Sequence, residues 1–186
     1  MCRGEIPQTP MEAIQARGSS AARRANWSRL VTSLLCTLAV SLLVFSKLFG
    51  LGLVSGDSMH PTFEERDLVL FARMGGCGRN DVVILQAEGP LINKYVKRVV
   101  GLPGDTVDIN ASGNVTVNGV APGEDYAFGI TVDNGGQSYP LVLKEGEFFV
   151  LGDNREHSRD SREFGAISTE QIKGKVIAVL RTVDNP

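Results

Sequence analysis

An uncharged apolar run near the N-terminus constrains this chain more than any other feature. From Leu30 to Phe45 the sequence LVTSLLCTLAVSLLVF has no charged residue, and Lys47 is the first charge after it. A helix that crosses the roughly 30 Å hydrocarbon core of a bilayer needs about 20 apolar residues. We therefore predict a transmembrane anchor over residues 28–49, with Lys47 reaching toward the interface.

A cleaved secretory signal peptide is the alternative, because it also combines a basic start with an apolar run. This run is longer than a usual signal core and follows 29 residues of chain, which favours an uncleaved anchor. Arginines cluster before the run, so the positive-inside rule places the N-terminus in the cytoplasm. We predict a single-pass cell-membrane protein with a flexible cytoplasmic tail over 1–27 and an extracytoplasmic domain over 50–186.

The domain after the anchor is predicted to be mostly β. Short apolar runs alternate there with Gly-rich turns, a pattern typical of a small antiparallel β-barrel or sandwich. The predicted strands are Asp67–Arg73, Asp81–Gln86, Tyr95–Val100, Thr106–Asn110, Asn114–Asn118, Tyr139–Leu143, Glu147–Leu151 and Lys175–Thr182, and a helical turn is predicted at Ser168–Lys173. The rest of residues 119–146 is predicted to be loop.

Charge and cysteine content argue against several classes of function. Residues 55–186 carry 13 basic and 19 acidic side chains. This domain therefore lacks the basic character that phosphate contacts need, and we expect no nucleic-acid partner. Cys36 lies inside the apolar run, which separates Cys2 from Cys77, so we expect no disulfide within the chain. With two histidines and no zinc-ligand spacing, we expect no metal and no cofactor.

A serine follows the anchor within a few residues, in the Gly-containing turn Ser55-Gly56-Asp57-Ser58-Met59-His60-Pro61. A serine hydroxyl is a poor nucleophile until a base takes its proton. Gly56 allows a sharp turn and close approach to a substrate. The backbone N–H of Ser58 is then a candidate oxyanion donor.

Lys97 is the candidate base for this serine. On a strand over Tyr95–Val100 it shares one face with Tyr95 and Val99, which gives it an apolar surround. An ordinary lysine, with a pKa near 10.4, is protonated at neutral pH, and burial must lower that value by about 3 units to make a base. The plainer interpretation is a solvated strand lysine, since Lys94 and Arg98 flank it.

Three blocks in this order resemble the type I signal peptidase family of membrane-bound Ser/Lys proteases, in its small Gram-positive-like form. They are the Ser58 turn, the segment Tyr95–Asp105 (YVKRVVGLPGD) and the segment Gly152–Arg162 (GDNREHSRDSR). The resemblance covers the chain from about Leu30 to its end. It implies a serine endopeptidase that removes signal peptides from exported preproteins, with Ser58 as nucleophile and Lys97 as general base.

The resemblance also implies supporting residues and partners. Ser158 matches the serine that hydrogen-bonds and orients the lysine, and Asp160 and Arg162 match a pair that supports the site. Gly56 and Met59 complete the predicted surroundings of Ser58. In many Gram-negative relatives a serine that helps the oxyanion hole occupies the position of Gly56, so the second oxyanion donor stays open here. Preproteins and membrane lipid are the implied partners.

Other functions remain open at this point. A Ser-His-Asp triad would use His60 or His157. A mitochondrial inner-membrane peptidase would belong to the same family. The self-cleaving repressors have a similar Ser/Lys site, but they are soluble proteins with a DNA-binding domain, and the apolar run argues against them. A membrane-anchored β domain that only binds partners is the non-enzymatic alternative.

Overall fold

The computed structural model describes residues 10–86, 94–133 and 135–181, with side chains described from residue 26 onward. The chain divides into two compact units, Met1–Ser46 and Lys47–Pro186. The division lies three residues before the end of the predicted anchor.

The first unit is helical. Helix α1 (Pro10–Leu48) includes Asn26–Leu48, which is long and apolar enough to cross a membrane, with a mean hydropathy of 1.9. Two of its hydroxyl groups are satisfied within the helix, since Thr32 and Thr37 each donate to the carbonyl four residues earlier at 2.9 Å. A spanning helix needs this internal satisfaction because lipid offers no partners. The helix extends back to Pro10, inside the segment predicted as a tail.

The second unit consists of short strands and turns. Its strands in the described residues are β1 (Phe49–Leu53), β2 (Leu68–Ala72), β3 (Val82–Gln86), β4 (Lys94–Gly101), β5 (Thr106–Ile109), β6 (Val115–Val117), β7 (Leu141–Val142), β8 (Glu147–Leu151), β9 (Ile167–Ser168) and β10 (Ile172–Leu180). Helix α2 (Ser161–Phe164) and 3-10 turns at Arg155–His157 and Thr169–Gln171 complete it.

The strands form two antiparallel sheets. The larger has the order β1-β2-β10-β3-β4-β8-β9, and the smaller has the order β6-β5-β7. Strands β1 and β9 end the larger sheet, so in the described part of the chain it does not close on itself. The mostly β prediction is confirmed, and of its two alternatives the sandwich fits whereas a closed barrel does not.

Strand β3 is apolar on both faces because both faces are covered. One face contributes Val83 and Leu85 to a buried cluster with Val99, Phe148, Val150 and Ile167. The other contributes Val82 and Ile84 to a cluster with Val54, Met59, Phe63, Val69 and Phe71. Strand β4 pairs with β3 from Lys94 to Arg98, next to this core, and the backbone of Lys97 is therefore held in a rigid position.

Most predicted strands are present, with ends shifted by one or two residues. The exception is β10, which begins at Ile172, within the segment predicted as a helical turn. The helical turn itself is shorter than predicted and spans Thr169–Gln171. Strand β1 was not among the predicted strands, and it contains two glycines, Gly50 and Gly52. Those glycines have a packing reason, since a Cβ at Gly50 would overlap the Phe71 ring.

One face of the β1-β2-β10 end of the larger sheet is apolar and exposed. Leu51 and Leu53 are 63% and 66% exposed, and Leu180 is 61% exposed. They lie on the same face because Leu53 pairs with Leu68, which in turn pairs with Leu180. This apolar face starts at β1, one residue after helix α1 ends.

Candidate active site

The turn that carries Ser58 is fixed to the core by its neighbour. Met59 is 1% exposed and packs with Phe63, whose backbone N–H donates to the Met59 carbonyl at 2.9 Å. Gly56 has a φ of +85°, a left-handed conformation that glycine adopts without strain. Ser58 is therefore presented at a sharp bend, half-buried, with its backbone anchored on the C-terminal side.

The structure brings Lys97 to Ser58. Lys97 is 1% exposed, and its Nζ donates a hydrogen bond to Ser58 Oγ at 2.7 Å. The same Nζ lies 5.8 Å from the centroid of the Tyr95 ring, on the shared strand face. The solvated interpretation of this lysine is therefore wrong. The two side chains come from segments 39 residues apart.

The surroundings of Lys97 lower its pKa and so raise the fraction of its side chain that is neutral at a given pH. Burial lowers its pKa from 10.5 to about 8, while the carboxylates of Asp160 and Asp153 act in the opposite direction and the guanidinium of Arg162 acts with burial. At this pKa about one tenth of the amine is neutral at pH 7. A neutral amine with a hydroxyl at hydrogen-bond distance can accept its proton.

Asp160 and Arg162 form a buried ion pair that organises the loop after β8. Arg162 donates from Nε and Nη2 to the two carboxylate oxygens of Asp160, both at 2.8 Å, and both side chains are at most 1% exposed. Asp160 also accepts from the backbone N–H of Gly152 at 3.0 Å, and Arg162 donates to the Ser158 carbonyl at 3.2 Å. The pair therefore joins both ends of the loop that contains Ser158.

Ser158 is buried, but its Oγ has no hydrogen-bond partner among the described residues. The bond to Lys97 that the family resemblance implies is not present in this structure, and the role of Ser158 stays a prediction. Gly152 separates the two serines, because a Cβ at Gly152 would overlap the Ser158 side chain and lie 2.5 Å from the Ser58 carbonyl oxygen. Ser158 is therefore packed close to the backbone of the Ser58 turn.

Asn154 forms hydrogen bonds that hold the Ser58 turn, a role that was not predicted from the sequence. Its backbone N–H donates to the Ser58 carbonyl at 3.1 Å, and its Nδ2 donates to the Asp57 carbonyl at 3.2 Å. Within the described residues the Ser58 N–H has no acceptor, so it is available for an oxyanion. Among the described residues a second donor is not evident, and Asn154 Nδ2 already donates one hydrogen bond to the Asp57 carbonyl.

A second buried ion pair lies on the other side of the loop. Arg98 donates from Nε and Nη2 to the two oxygens of Asp153 at 2.8 and 2.6 Å, and Thr62 donates to Asp153 at 2.5 Å. These bonds connect β4, the loop after β8 and the segment after Ser58. No sequence signal distinguished Arg98 from an ordinary surface arginine, since its partner lies 55 residues away.

The segment Glu124–Thr131, which we call the strap, crosses this side of the site. Arg155 is 2% exposed and donates to Glu124 Oε1 at 2.6 Å and to Thr131 Oγ1 at 2.7 Å. The Tyr126 ring stacks on the Arg98 guanidinium at 4.0 Å. The sequence predicted only loop here, because the strap is held by contacts distant in sequence rather than by any local pattern.

The two histidines are exposed side chains that take no part in the contact between Ser58 and Lys97. Both are exposed, and in the described structure neither forms a hydrogen bond with Ser58. The His60 ring contacts the Phe128 ring edge to face, with centroids 5.7 Å apart. Among the described residues no three His, Cys, Asp or Glu side chains cluster so as to hold a metal ion.

Comparison with known proteins identifies the family. The family model described as "Signal peptidase, peptidase S26" matches residues 27–181, which is most of the chain. The chain belongs to this signal peptidase family. The enzyme class follows from this membership, because the family consists of serine proteases, and the resemblance inferred from the three sequence blocks is confirmed.

Several bacterial signal peptidases are similar along most of their length. Signal peptidase I of Bacillus licheniformis is 33% identical over 156 residues, which cover 77% of this chain and 83% of that protein. Signal peptidase IB of Staphylococcus aureus is 34% identical over 142 residues, or 66% and 73% of the two chains. A crystal structure of a signal peptidase I from Enterococcus faecalis aligns with 56% of this chain and 99% of its own, with 29% identity and a TM-score of 0.45.

Proposed function

We propose that this signal peptidase family member is a membrane-anchored endopeptidase that removes signal peptides from exported preproteins, with Ser58 as nucleophile and Lys97 as general base. The observation that carries the proposal is the 2.7 Å contact between Lys97 Nζ and Ser58 Oγ, made by a lysine that is 1% exposed. Burial lowers the pKa of this lysine to about 8, close to the range in which a general base is effective.

The reaction proceeds by acyl transfer. Neutral Lys97 accepts the proton of Ser58 as Oγ bonds to the scissile carbonyl carbon, and the Ser58 N–H stabilises the oxyanion. The C–N bond then breaks, and Lys97 gives its proton to the leaving amine of the mature protein. A water molecule, deprotonated by Lys97, then attacks the acyl carbonyl, and as the bond to Ser58 Oγ breaks Lys97 returns the proton to Oγ and the signal peptide is released. Asp160 and Arg162 position the loop around this site, and Met59 and Gly56 position Ser58.

The open edge of β4 is the proposed binding place of the signal-peptide side of the substrate. Strand β8 pairs with β4 only at Arg98–Gly101, and in the described residues nothing pairs with that edge over Lys94–Lys97. Gly152, which would be next along β8, uses its N–H on Asp160 and its carbonyl on Arg155. An extended substrate can add as a strand at this edge and bring its scissile bond to Ser58.

Membrane lipid is the proposed second partner. Helix α1 would cross the bilayer once, with the N-terminus in the cytoplasm because the arginines precede the apolar run. The exposed leucines of the β1-β2-β10 face support a location of the peptidase unit at the membrane surface, because a soluble domain rarely leaves such a contiguous face uncovered. The unit would then act outside the cytoplasm, where exported chains emerge.

Cleavage of a purified preprotein tests the proposal. The full-length protein in mild detergent should convert a preprotein to its mature length, and Ser58→Ala should abolish this conversion. Ser55→Ala is the matched control, because Ser55 lies on the same turn and is exposed. Mature product formed at the wild-type rate by the Ser58 variant would contradict the assignment, and so would a mature N-terminus at a different peptide bond from the signal-peptide junction.

A further inference from the structure

The strap and the Ser58 turn are joined through Asn154. The backbone N–H of Asn154 donates to the Ser58 carbonyl at 3.1 Å. On its other side, Asn154 forms a parallel bridge with Phe128: the Phe128 N–H donates to the Asp153 carbonyl at 2.7 Å, and the Arg155 N–H donates to the Phe128 carbonyl at 2.8 Å. Phe128 is therefore the bridge partner of Asn154 on the side opposite Ser58.

The substrate cannot continue along β4 beyond Ser58. From Arg98 onward that edge is occupied by β8, and Asp153 is fixed there by Arg98. A chain that approaches along Lys94–Lys97 would then leave Ser58 over the residues that follow it, on the side where His60 contacts Phe128. Under the proposed function this leaving side is the beginning of the mature protein.

An aromatic pair is exposed on this path. Phe128 is 54% exposed, and the edge-to-face contact with His60 connects the strap to the Ser58 turn. The Phe128 backbone is held by its hydrogen bonds with Asp153 and Arg155, and the Arg155 side chain holds the side chains of Glu124 and Thr131 on either side of it. A rigidly held, exposed aromatic ring loses little conformational freedom when it binds a partner, which is why such rings are typical binding residues.

We propose that Phe128, supported by His60, is a specificity-determining residue that contacts the first two residues of the mature protein and favours apolar side chains there. The inference rests on the proposed function. An extended chain directs successive side chains to opposite sides, so one of these two positions faces the ring. The contact affects the choice of substrate and takes no part in proton transfer.

The test varies the substrate as well as the enzyme. One set of preproteins keeps the signal peptide constant and places Leu or Asp at each of the first two mature positions. A second set varies the first and third residues before the cut. For the full-length wild type we expect kcat/KM to favour Leu over Asp by roughly tenfold at one mature position, the lower end of what a single apolar contact contributes.

Substitutions at Phe128 should change this preference alone. Phe128→Ala should reduce the preference to near unity, Phe128→Lys should reverse it toward Asp, and His60→Ala should weaken it. Val142→Ala and His157→Ala are the matched controls and should leave it unchanged, because Val142 is 63% exposed on the smaller sheet and His157 is exposed beyond the strap bridge. The gain of activity toward Asp in Phe128→Lys is an outcome that a folding defect cannot produce.

The inference would be overturned by no preference at either mature position, by an unchanged preference in both Phe128 variants, or by a change confined to the positions before the cut. An equal loss on every substrate would also overturn it, since that is the signature of a structural role. If the wild type cleaves no preprotein, the proposed function fails and this inference fails with it. If cleavage requires Ser58 but the Phe128 variants keep the wild-type preference, this inference is wrong and the proposed function stands.

Discussion

Lys97 Nζ lies 2.7 Å from Ser58 Oγ, although the two residues belong to separate elements, the centre of β4 and a turn after β1. The lysine is almost completely buried, with Asp160 and Asp153 near enough to raise its pKa and Arg162 near enough to lower it. Because this lysine is buried and still contacts Ser58, its proposed role as general base can be tested by substitution and by pH.

Removal of the base should nearly abolish cleavage. We expect Lys97→Ala to lower kcat/KM for a preprotein by about 10²–10⁴-fold, the usual contribution of a general base. Lys97→Arg should not restore the rate, because a guanidinium stays protonated in proteins. His157→Ala is the control and should remain active, with folding checked by circular dichroism. A dead histidine variant beside an active lysine variant would contradict the Ser/Lys assignment.

The rate should depend on pH through the lysine. Because burial lowers the pKa of Lys97 to about 8, the neutral amine is the minor form at pH 7 and the major form at pH 9. The value of kcat/KM should therefore rise about tenfold per pH unit below pH 7 and level off above pH 9. Stopped assays across pH 6–10 measure this profile. A midpoint near 6.5 would instead indicate a histidine base.

Lys97 should also lower the stability of the folded protein. The pKa of Lys97 is reduced from 10.5 to about 8 on folding. At pH 7 this means that holding the charged lysine in the folded protein, rather than in the unfolded chain, costs about 3 kcal/mol of stability. Lys97→Met should therefore raise the free energy of unfolding by about that amount, measured by urea denaturation in detergent. Lys94→Met, on the exposed start of the same strand, is the control and should have little effect.

The sign of the pH dependence follows from proton binding. Between about pH 8 and pH 10.5 the unfolded chain keeps the Lys97 proton that the folded chain has lost. Wild-type stability should therefore rise with pH in this window, and the advantage of Lys97→Met should shrink there. A constant difference between the two proteins from pH 7 to pH 10 would contradict a lowered lysine pKa.

Gly152 should tolerate no side chain. A Cβ there would overlap the Ser158 side chain and lie 2.5 Å from the Ser58 carbonyl oxygen, so Gly152→Ala must displace one of the two serines. We expect at least a tenfold loss of kcat/KM, and overpacking should cost about 1–3 kcal/mol of stability. Gly76→Ala is the matched control, because a Cβ at Gly76 meets open space. Equal activity of the two variants would show that the loop moves to accommodate the added methyl group without disturbing the site.

The proposed orientation predicts which thiols are reached from outside the cell. Burial raises the pKa of Cys77, which makes it a poor probe, whereas Met74 is 70% exposed in the same turn region. In a Cys77→Ala background, Met74→Cys should react with a membrane-impermeant maleimide on intact cells, and Cys2 should react only after lysis. Labelling of Cys2 alone on intact cells would reverse the orientation.

Residue types and their local spacing were enough to predict the helix and most strands and to single out Ser58 and Lys97 as candidates, whereas the resemblance of three sequence blocks to a known family predicted their pairing as nucleophile and base. The 16-residue uncharged run and its flanks come close to the length that a membrane-crossing helix needs, which favoured an anchor over a signal peptide. Alternation along Tyr95–Val100 selected the face of Lys97, and the Gly-rich turn indicated Ser58. These signals are local, because hydrophobic period and turn chemistry act between neighbours in the chain.

Only the tertiary structure decided which distant groups surround the pair. The bond between Asn154 and Ser58, the Arg98–Asp153 pair and the attachment of the strap by Arg155 all join residues 24 to 96 positions apart. The sequence around a charged residue does not distinguish a solvated side chain from one that forms a buried ion pair. Its partner is selected by burial, because an ion or amide removed from water must find its hydrogen bonds within the folded chain.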